Sequence, residues 1–196
     1  YEAWQVAPHT PGALQMGEII AHLGRVLPPE AIIANGAGNY GIWLHRFYRY
    51  RQFGTQLAPT SGSMGYGAPA AIAAKLVYPK RTVVAFAGDG CFLMTGQEFA
   101  TAMQYNAAVI FIVVNNGMYG TIRMHQEREY PQRVSGTMLK NPDFAALAAS
   151  YGAHGLALAE DRMIDEVLED AFRRRDRPAV VAIAMRSATM ASRPKA

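Results

Sequence analysis

Apolar residues along the chain alternate between two periods, and each change of period marks a new element. Met16, Ile19, Ile20, His22, Leu23, Val26 and Leu27 recur at helical spacing until Pro28-Pro29, which cannot continue a helix. Ala31-Ile32-Ile33-Ala34 then forms a short strand, and a helix of small residues is expected from about Gly65 to Val77. The runs Thr82 to Ala87 and Ala108 to Val114 are apolar at nearly every position, as strands buried on both faces are. A helix begins at Pro142 with Asn141 as its cap, and Leu156 to Leu158 reads as a short strand. The amphipathic helix from Arg162 to Arg174 and the strand from Ala179 to Met185 complete the pattern, and the tail after Arg186 is expected to fray.

This alternation predicts an α/β fold: a three-layer sandwich with a mostly parallel sheet of about six strands and helices on both faces. The 196 residues, 51% of them hydrophobic, suit one domain with a sizeable core. We place that domain at residues 13–186, between a linker end at residues 1–12, suggested by the stretch from Pro8 to Gly12, and a C-terminal tail at residues 187–196. Internal repeats and low-complexity linkers are absent. The longest apolar stretches have strand length and are broken by Gly, Asp or Asn, so no membrane span is expected. Tyr1 opens the chain without an initiator Met or a signal-peptide pattern. The chain therefore reads as soluble and cytoplasmic, and as a piece excised from a longer protein.

Charge adds little to this picture. Nineteen basic against fifteen acidic residues give a net charge of +4, which a small anionic ligand would explain. His45-Arg46-Phe47-Tyr48-Arg49-Tyr50-Arg51 interleaves bases with aromatics, as nucleic-acid surfaces do. One short cluster of this kind is more often a solvated or interdomain face, so no nucleic-acid partner is expected. The single cysteine, Cys91, cannot form an internal disulfide, which suits a reducing compartment.

The chemistry concentrates where two strand-like runs end. Gly88-Asp89-Gly90 follows the first run and Asn115-Asn116 the second, with residues 91 to 114 between them. In open α/β sheets, ligands bind outside the carboxyl ends of the strands. Mg²⁺ takes about six oxygen ligands and draws only one or two carboxylates from a protein, so Asp89, Asn116 and a backbone carbonyl such as that of Met118 form a plausible protein share of its shell. Gly90 would let the main chain approach phosphates, and a helix starting a few residues after Asn116 would turn its positive end toward them. Cys91 is read as a small residue offering its N–H to phosphate, in preference to a reactive thiol lowered in pKa by a helix start.

Gly36-Ala37-Gly38-Asn39-Tyr40-Gly41 also fits the G-x-G-x-x-G fingerprint of dinucleotide sites. That fingerprint expects an acidic residue about 20 positions on to hold the ribose. No Asp or Glu occurs between Glu30 and Asp89, which counts against NAD. A tight turn that needs glycine is the plainer alternative.

Taken together, Gly-Asp-Gly, its interval and Asn-Asn resemble the cofactor signature of thiamine-diphosphate-dependent enzymes. The segments from Ser61 to Ala71 and from Asn35 to Trp43 are similar, in order and spacing, to the acetolactate synthase and 2-keto acid decarboxylase branch of that family. The resemblance runs from about Met16 to Gly155 and covers only the family's carboxy-terminal, diphosphate-binding domain. It implies thiamine diphosphate and Mg²⁺ as cofactors and a 2-keto acid as substrate, decarboxylated or carboligated through the cofactor's thiazolium ylide. It places the metal on Asp89, Asn116 and Met118. Cofactor contacts fall on Gly38, Asn39, Tyr40, Gly62, Met64, Gly90, Cys91, Met118, Tyr119 and Thr121.

Within that resemblance, the loop from Gly36 to Gly41 would lay main-chain N–H groups, together with the side chains of Asn39 and Tyr40, on the terminal phosphate, where the family usually carries Gln-His. Met64 would push under the cofactor and bend it, a use that suits its irregular contacts, and Gly62 would offer its carbonyl to the pyrimidine amino group. Glu98 is not taken as the glutamate that activates the cofactor, because Thr95-Gly96-Gln97-Glu98 has the form of a capping box. The family's activating glutamate lies in an amino-terminal, pyrimidine-binding domain of the same or another subunit. The isolated chain is therefore expected to bind cofactor weakly and to be inactive, and a homo-oligomer is expected. No catalytic residue is assigned within this chain. His125, which stands where acetolactate synthases carry a tryptophan at the second-substrate pocket, is the candidate for substrate contact, on a segment from Gly117 to Tyr130 read as a mobile cover. The alternatives are a non-catalytic nucleotide-binding module of the same fold and a stand-alone small subunit.

Overall fold

The structure is a computed structural model that describes residues 6–185. Its six strands are β1 (Ile32–Asn35), β2 (Gln56–Leu57), β3 (Val83–Gly88), β4 (Ile110–Asn115), β5 (His154–Leu158) and β6 (Ala179–Ala184). They form one sheet in the order β2-β1-β3-β4-β6-β5, and every neighbouring pair is parallel. Parallel neighbours need crossovers, and the helices supply them. In chain order the helices are α1 (Met16–Val26), which precedes the first strand, and then the connecting α2 (Asn39–Phe47), α3 (Gly67–Val77), α4 (Asp89–Thr95), α5 (Phe99–Gln104), α6 (Gly120–Glu129), α7 (Phe144–Ser150) and α8 (Ile164–Arg173).

Successive strand side chains point to opposite faces, so each strand feeds two cores. Val84, Phe86, Ile112, Val114, Val181 and Ile183 pack with α1, α2 and α8 through Ile19, Leu23, Trp43, Leu44 and Leu168. Val83, Ala85, Ala87, Phe111, Val113 and Val180 pack on the other face with α3, α4, α5 and α7 through Ala71, Ile72, Phe92, Phe99 and Phe144. Each large apolar side chain so buried contributes about 1.5–3 kcal/mol. The three-layer sandwich expected from the sequence is the fold observed. Among the described residues, no helix is long and apolar enough to cross a membrane.

Several local readings differ. α3 begins at Gly67 because Gly65 has φ +81°, outside helical space. Asn141 does not cap α7: Asp143 does, its Oδ1 accepting from Ala145 N at 2.9 Å and Ala146 N at 3.0 Å. The capping box also fails. The helix there starts at Asp89, and Thr95 stands at its end, before a 3-10 turn over Gly96–Glu98. Neither side chain bonds a first-turn N–H: Thr95 donates to the Gly65 carbonyl at 2.8 Å, and Glu98, which precedes α5, accepts from the Thr101 hydroxyl at 2.9 Å. The two-residue strand β2 and the helix α2 had no clear periodic signal. Before α1, Gln15 Nε2 donates to the carbonyls of Thr10 and Gly12, so part of the stretch read as a linker end packs onto the domain. The tail at residues 187–196 lies outside the described residues.

Candidate functional site

The parallel sheet delivers β1, β3 and β4 to one edge, and their register sets Gly88 beside Val114. The loops leaving these tips, with the loop before α3, enclose a cleft of about 170 Å³. It is lined by Ala37 to Tyr40, Gly62, Met64, Gly88 to Cys91, Asn116 and Met118 to Ile122. All twelve residues expected to contact cofactor or metal therefore face one space: Gly38, Asn39, Tyr40, Gly62, Met64, Asp89, Gly90, Cys91, Asn116, Met118, Tyr119 and Thr121. His125 is not among them. It is exposed on α6, and its Nδ1 faces Arg128 Nη2 at 2.9 Å.

Asp89 is the first residue of α4 and only 3% exposed. Four donors hold its carboxylate. Oδ1 accepts from Gly90 N at 2.8 Å, and Oδ2 accepts from Gly117 N at 2.7 Å, Asn116 N at 3.2 Å and Asn141 Nδ2 at 2.7 Å. Oδ2 is crowded, while Oδ1 has one donor and free lone pairs. Asn116 Oδ1 accepts from Met118 N at 3.3 Å, and its Nδ2 is buried without a partner. The Met118 carbonyl accepts from Gly120 N at 2.9 Å, which leaves it a second lone pair.

Beneath the cleft, Cys91 and Tyr40 are each 2% exposed. Cys91 Sγ accepts from the Tyr40 hydroxyl at 3.2 Å and from Gly65 N at 3.0 Å. Burial, reinforced by the sulfur, pushes the Tyr40 phenol far above its ordinary pKa. The hydroxyl is thus turned into the floor and not toward the phosphate position expected for it. Asn39 is likewise engaged, its Nδ2 near Met124 Sδ at 3.5 Å and its backbone N–H donating to Thr121 Oγ1 at 2.9 Å. The floor also explains two glycines. A Cβ on Gly36 would lie 2.2 Å from Cys91 Sγ, and one on Gly88 would lie 2.9 Å from the Tyr40 ring. Gly90 has a related reason: its Cβ would meet the Tyr119 ring at 2.4 Å.

α6 begins at the cleft with Gly120 and Thr121 and directs its N-terminal dipole into it. A strap returning from α6 then fastens the loop that follows β4. Tyr119 N donates to the Thr137 carbonyl and Leu139 N to the Gly117 carbonyl, each at 2.8 Å, while Gln126 and Ser135 exchange two hydrogen bonds. Asn141 ends the strap on Asp89 and Asn115. Sequence reasoning missed this residue, since Asn-Pro-Asp ahead of an apolar run looks like a helix start.

The donor set suits a hard cation shared with a phosphate ligand. Among the described residues no group of three or more His, Cys, Asp or Glu is gathered, so a softer transition metal held by the protein alone finds no cage. One carboxylate, one amide oxygen and one carbonyl leave several positions for phosphate and water oxygens, as Mg²⁺ prefers.

Residues 36–183 match the family described as thiamine pyrophosphate enzyme, C-terminal TPP binding domain. The chain is 35% identical over 181 residues to acetolactate synthase of Mycobacterium leprae (strain TN), an alignment covering 89% of this chain and 29% of that protein. It is 33% identical over 165 residues to the acetolactate synthase large subunit of Haemophilus influenzae, covering 83% and 29% respectively. For the large subunit of Lactococcus lactis the figures are 35% over 155 residues, 78% and 27%. The chain spans less than a third of the length of these relatives.

Proposed function

The chain belongs to the C-terminal TPP-binding domains of thiamine pyrophosphate enzymes, and on that premise we propose that its cleft holds Mg²⁺ and the diphosphate of thiamine diphosphate within an acetolactate synthase-like enzyme acting on 2-keto acids. One observation carries the metal assignment: Asp89 and Asn116 leave adjacent strand tips into the same cleft, joined by the hydrogen bond from Asn116 N to Asp89 Oδ2. Asp89 Oδ1, Asn116 Oδ1 and the Met118 carbonyl supply the protein's share of the metal shell. Gly38, Asn39, Gly90, Cys91, Tyr119 and Thr121 surround the diphosphate, with the start of α6 adding a favourable field. Tyr40 supports this cradle from below. Met64 and Gly62 border the space on the side given to the pyrimidine.

When bound, the cofactor supplies a positively charged thiazolium that accepts electrons from the keto acid. The residues of this chain hold, orient and screen it. Activation would come from a glutamate on an amino-terminal domain of the same or another subunit, in a homo-oligomer working in the cytoplasm, and without it a loss of about 10²–10⁴-fold is expected.

Titration calorimetry tests the assignment. Thiamine diphosphate is expected to give heat only with Mg²⁺, Asp89→Ala to abolish it, and NADH to give none. Equal binding of thiamine diphosphate without metal, or binding of NADH, would overturn it.

A further inference from the structure

Asn141 is not among the residues lining the cleft, yet its amide sits against the Asp89 carboxylate. Its Nδ2 donates to Asp89 Oδ2 at 2.7 Å and to Asn115 Oδ1 at 2.8 Å, so one nitrogen joins the tips of β3 and β4. The amide has no other acceptable orientation. Reversed, its oxygen would face two oxygens, and an ionised carboxylate has no proton to donate to it. The cost of this arrangement is visible on the other side of the group, where Asn141 Oδ1 is buried without a partner. A side chain placed for its own satisfaction would not leave that oxygen bare.

Resting on the metal reading above, we propose that Asn141 is a positioning residue for the metal site: its amide fixes the rotation of the Asp89 carboxylate so that Oδ2 is spent on protein donors and Oδ1 is presented to the cation. The backbone donors alone do not complete this. Asn116 N is 3.2 Å from Oδ2 and Gly117 N is 2.7 Å away, and both belong to the loop that also carries Asn116 and Met118. Asn141 arrives from elsewhere, on the strap whose Leu139 N is bonded to the Gly117 carbonyl. It therefore ties the carboxylate to the strap as well as to the strand tips. Partners of metal ligands acting in this way typically contribute 10- to 100-fold in metal affinity.

The test is a Mg²⁺ titration of thiamine diphosphate binding, followed by calorimetry, in the whole chain carrying Asn141→Ala or Asn141→Leu, the second preserving bulk without a donor. The metal-free melting temperature is measured alongside. The expected result is a rise of about 10- to 100-fold in the Mg²⁺ concentration for half-saturation, with wild-type stoichiometry restored at high Mg²⁺ and melting little changed. A merely structural role would lower stoichiometry or melting and leave half-saturation alone. Unchanged or tighter Mg²⁺ dependence in either folded variant overturns the proposal, as does failure of both to fold. If the wild-type chain shows no metal-dependent binding, the cofactor reading itself has failed, a separate outcome.

Discussion

Tyr40 and Cys91 meet through one hydrogen bond, the phenol donating to the sulfur over 3.2 Å, and that sulfur also accepts from Gly65 N. A single buried thiol thus joins the start of α2, the loop before α3 and the start of α4, all of which line the cleft. The sulfur acts here as an acceptor in a packed floor.

Gly36 sits directly against this pair, and Gly36→Ala is expected to destabilise the chain by about 1–3 kcal/mol through overpacking. Cys91→Ala in the same background removes the atom 2.2 Å from the added methyl. Urea unfolding of both single variants and the double variant should show less than additive loss. Strict additivity would mean that the methyl group is accommodated without moving Cys91.

Asp143 caps α7, and Asp143→Ala is expected to cost about 0.5–2 kcal/mol. Its Oδ1 bonds only the first-turn N–H groups of Ala145 and Ala146. Thermal unfolding should therefore shift while Mg²⁺-dependent binding of thiamine diphosphate does not. A change in metal dependence would show that α7 is coupled to the cleft through more than its cap.

His45 Nε2 lies 2.9 Å from the side-chain oxygen of the buried Asn35, and covering of that side of the ring lowers the His45 pKa below its ordinary 6.5. The unfolded chain therefore takes up this proton first. Its contribution to stability is complete above pH 6.5 and is lost as pH falls from there through the lowered folded value. NMR titration of the ring should give a midpoint below 6.5. The decline in urea midpoint between about pH 7 and pH 5 should be shallower in His45→Gln, and an equal decline would assign the acid sensitivity to other groups.

The main features of the fold were legible because they depend on local periodicity. β3 and β4 are continuous apolar runs, and a strand buried on both faces has no other composition available to it. α1 and α8 announce themselves by one apolar face each, while β2, two residues long, is held by its pairing with β1 and leaves no pattern. The residues around the cleft were legible for a different reason. Gly88-Asp89-Gly90 and Asn115-Asn116 end consecutive sheet neighbours, so chemistry near in space is also marked in sequence by the strands that carry it.

Orientation was another matter. Whether Tyr40 turns outward or down onto Cys91, and whether Asn141 caps a helix or holds Asp89, depends on partners 51 and 52 residues away. Asn141-Pro142-Asp143 has two suitable capping side chains, and local chemistry does not choose between them. Sequence by itself determined the layers, the strand tips and the kinds of oxygen that gather there, because backbone periodicity and residue type are properties of short segments. Only tertiary structure decided which way each polar side chain faces, since a hydrogen bond goes to whichever distant donor or acceptor the completed sheet brings within reach.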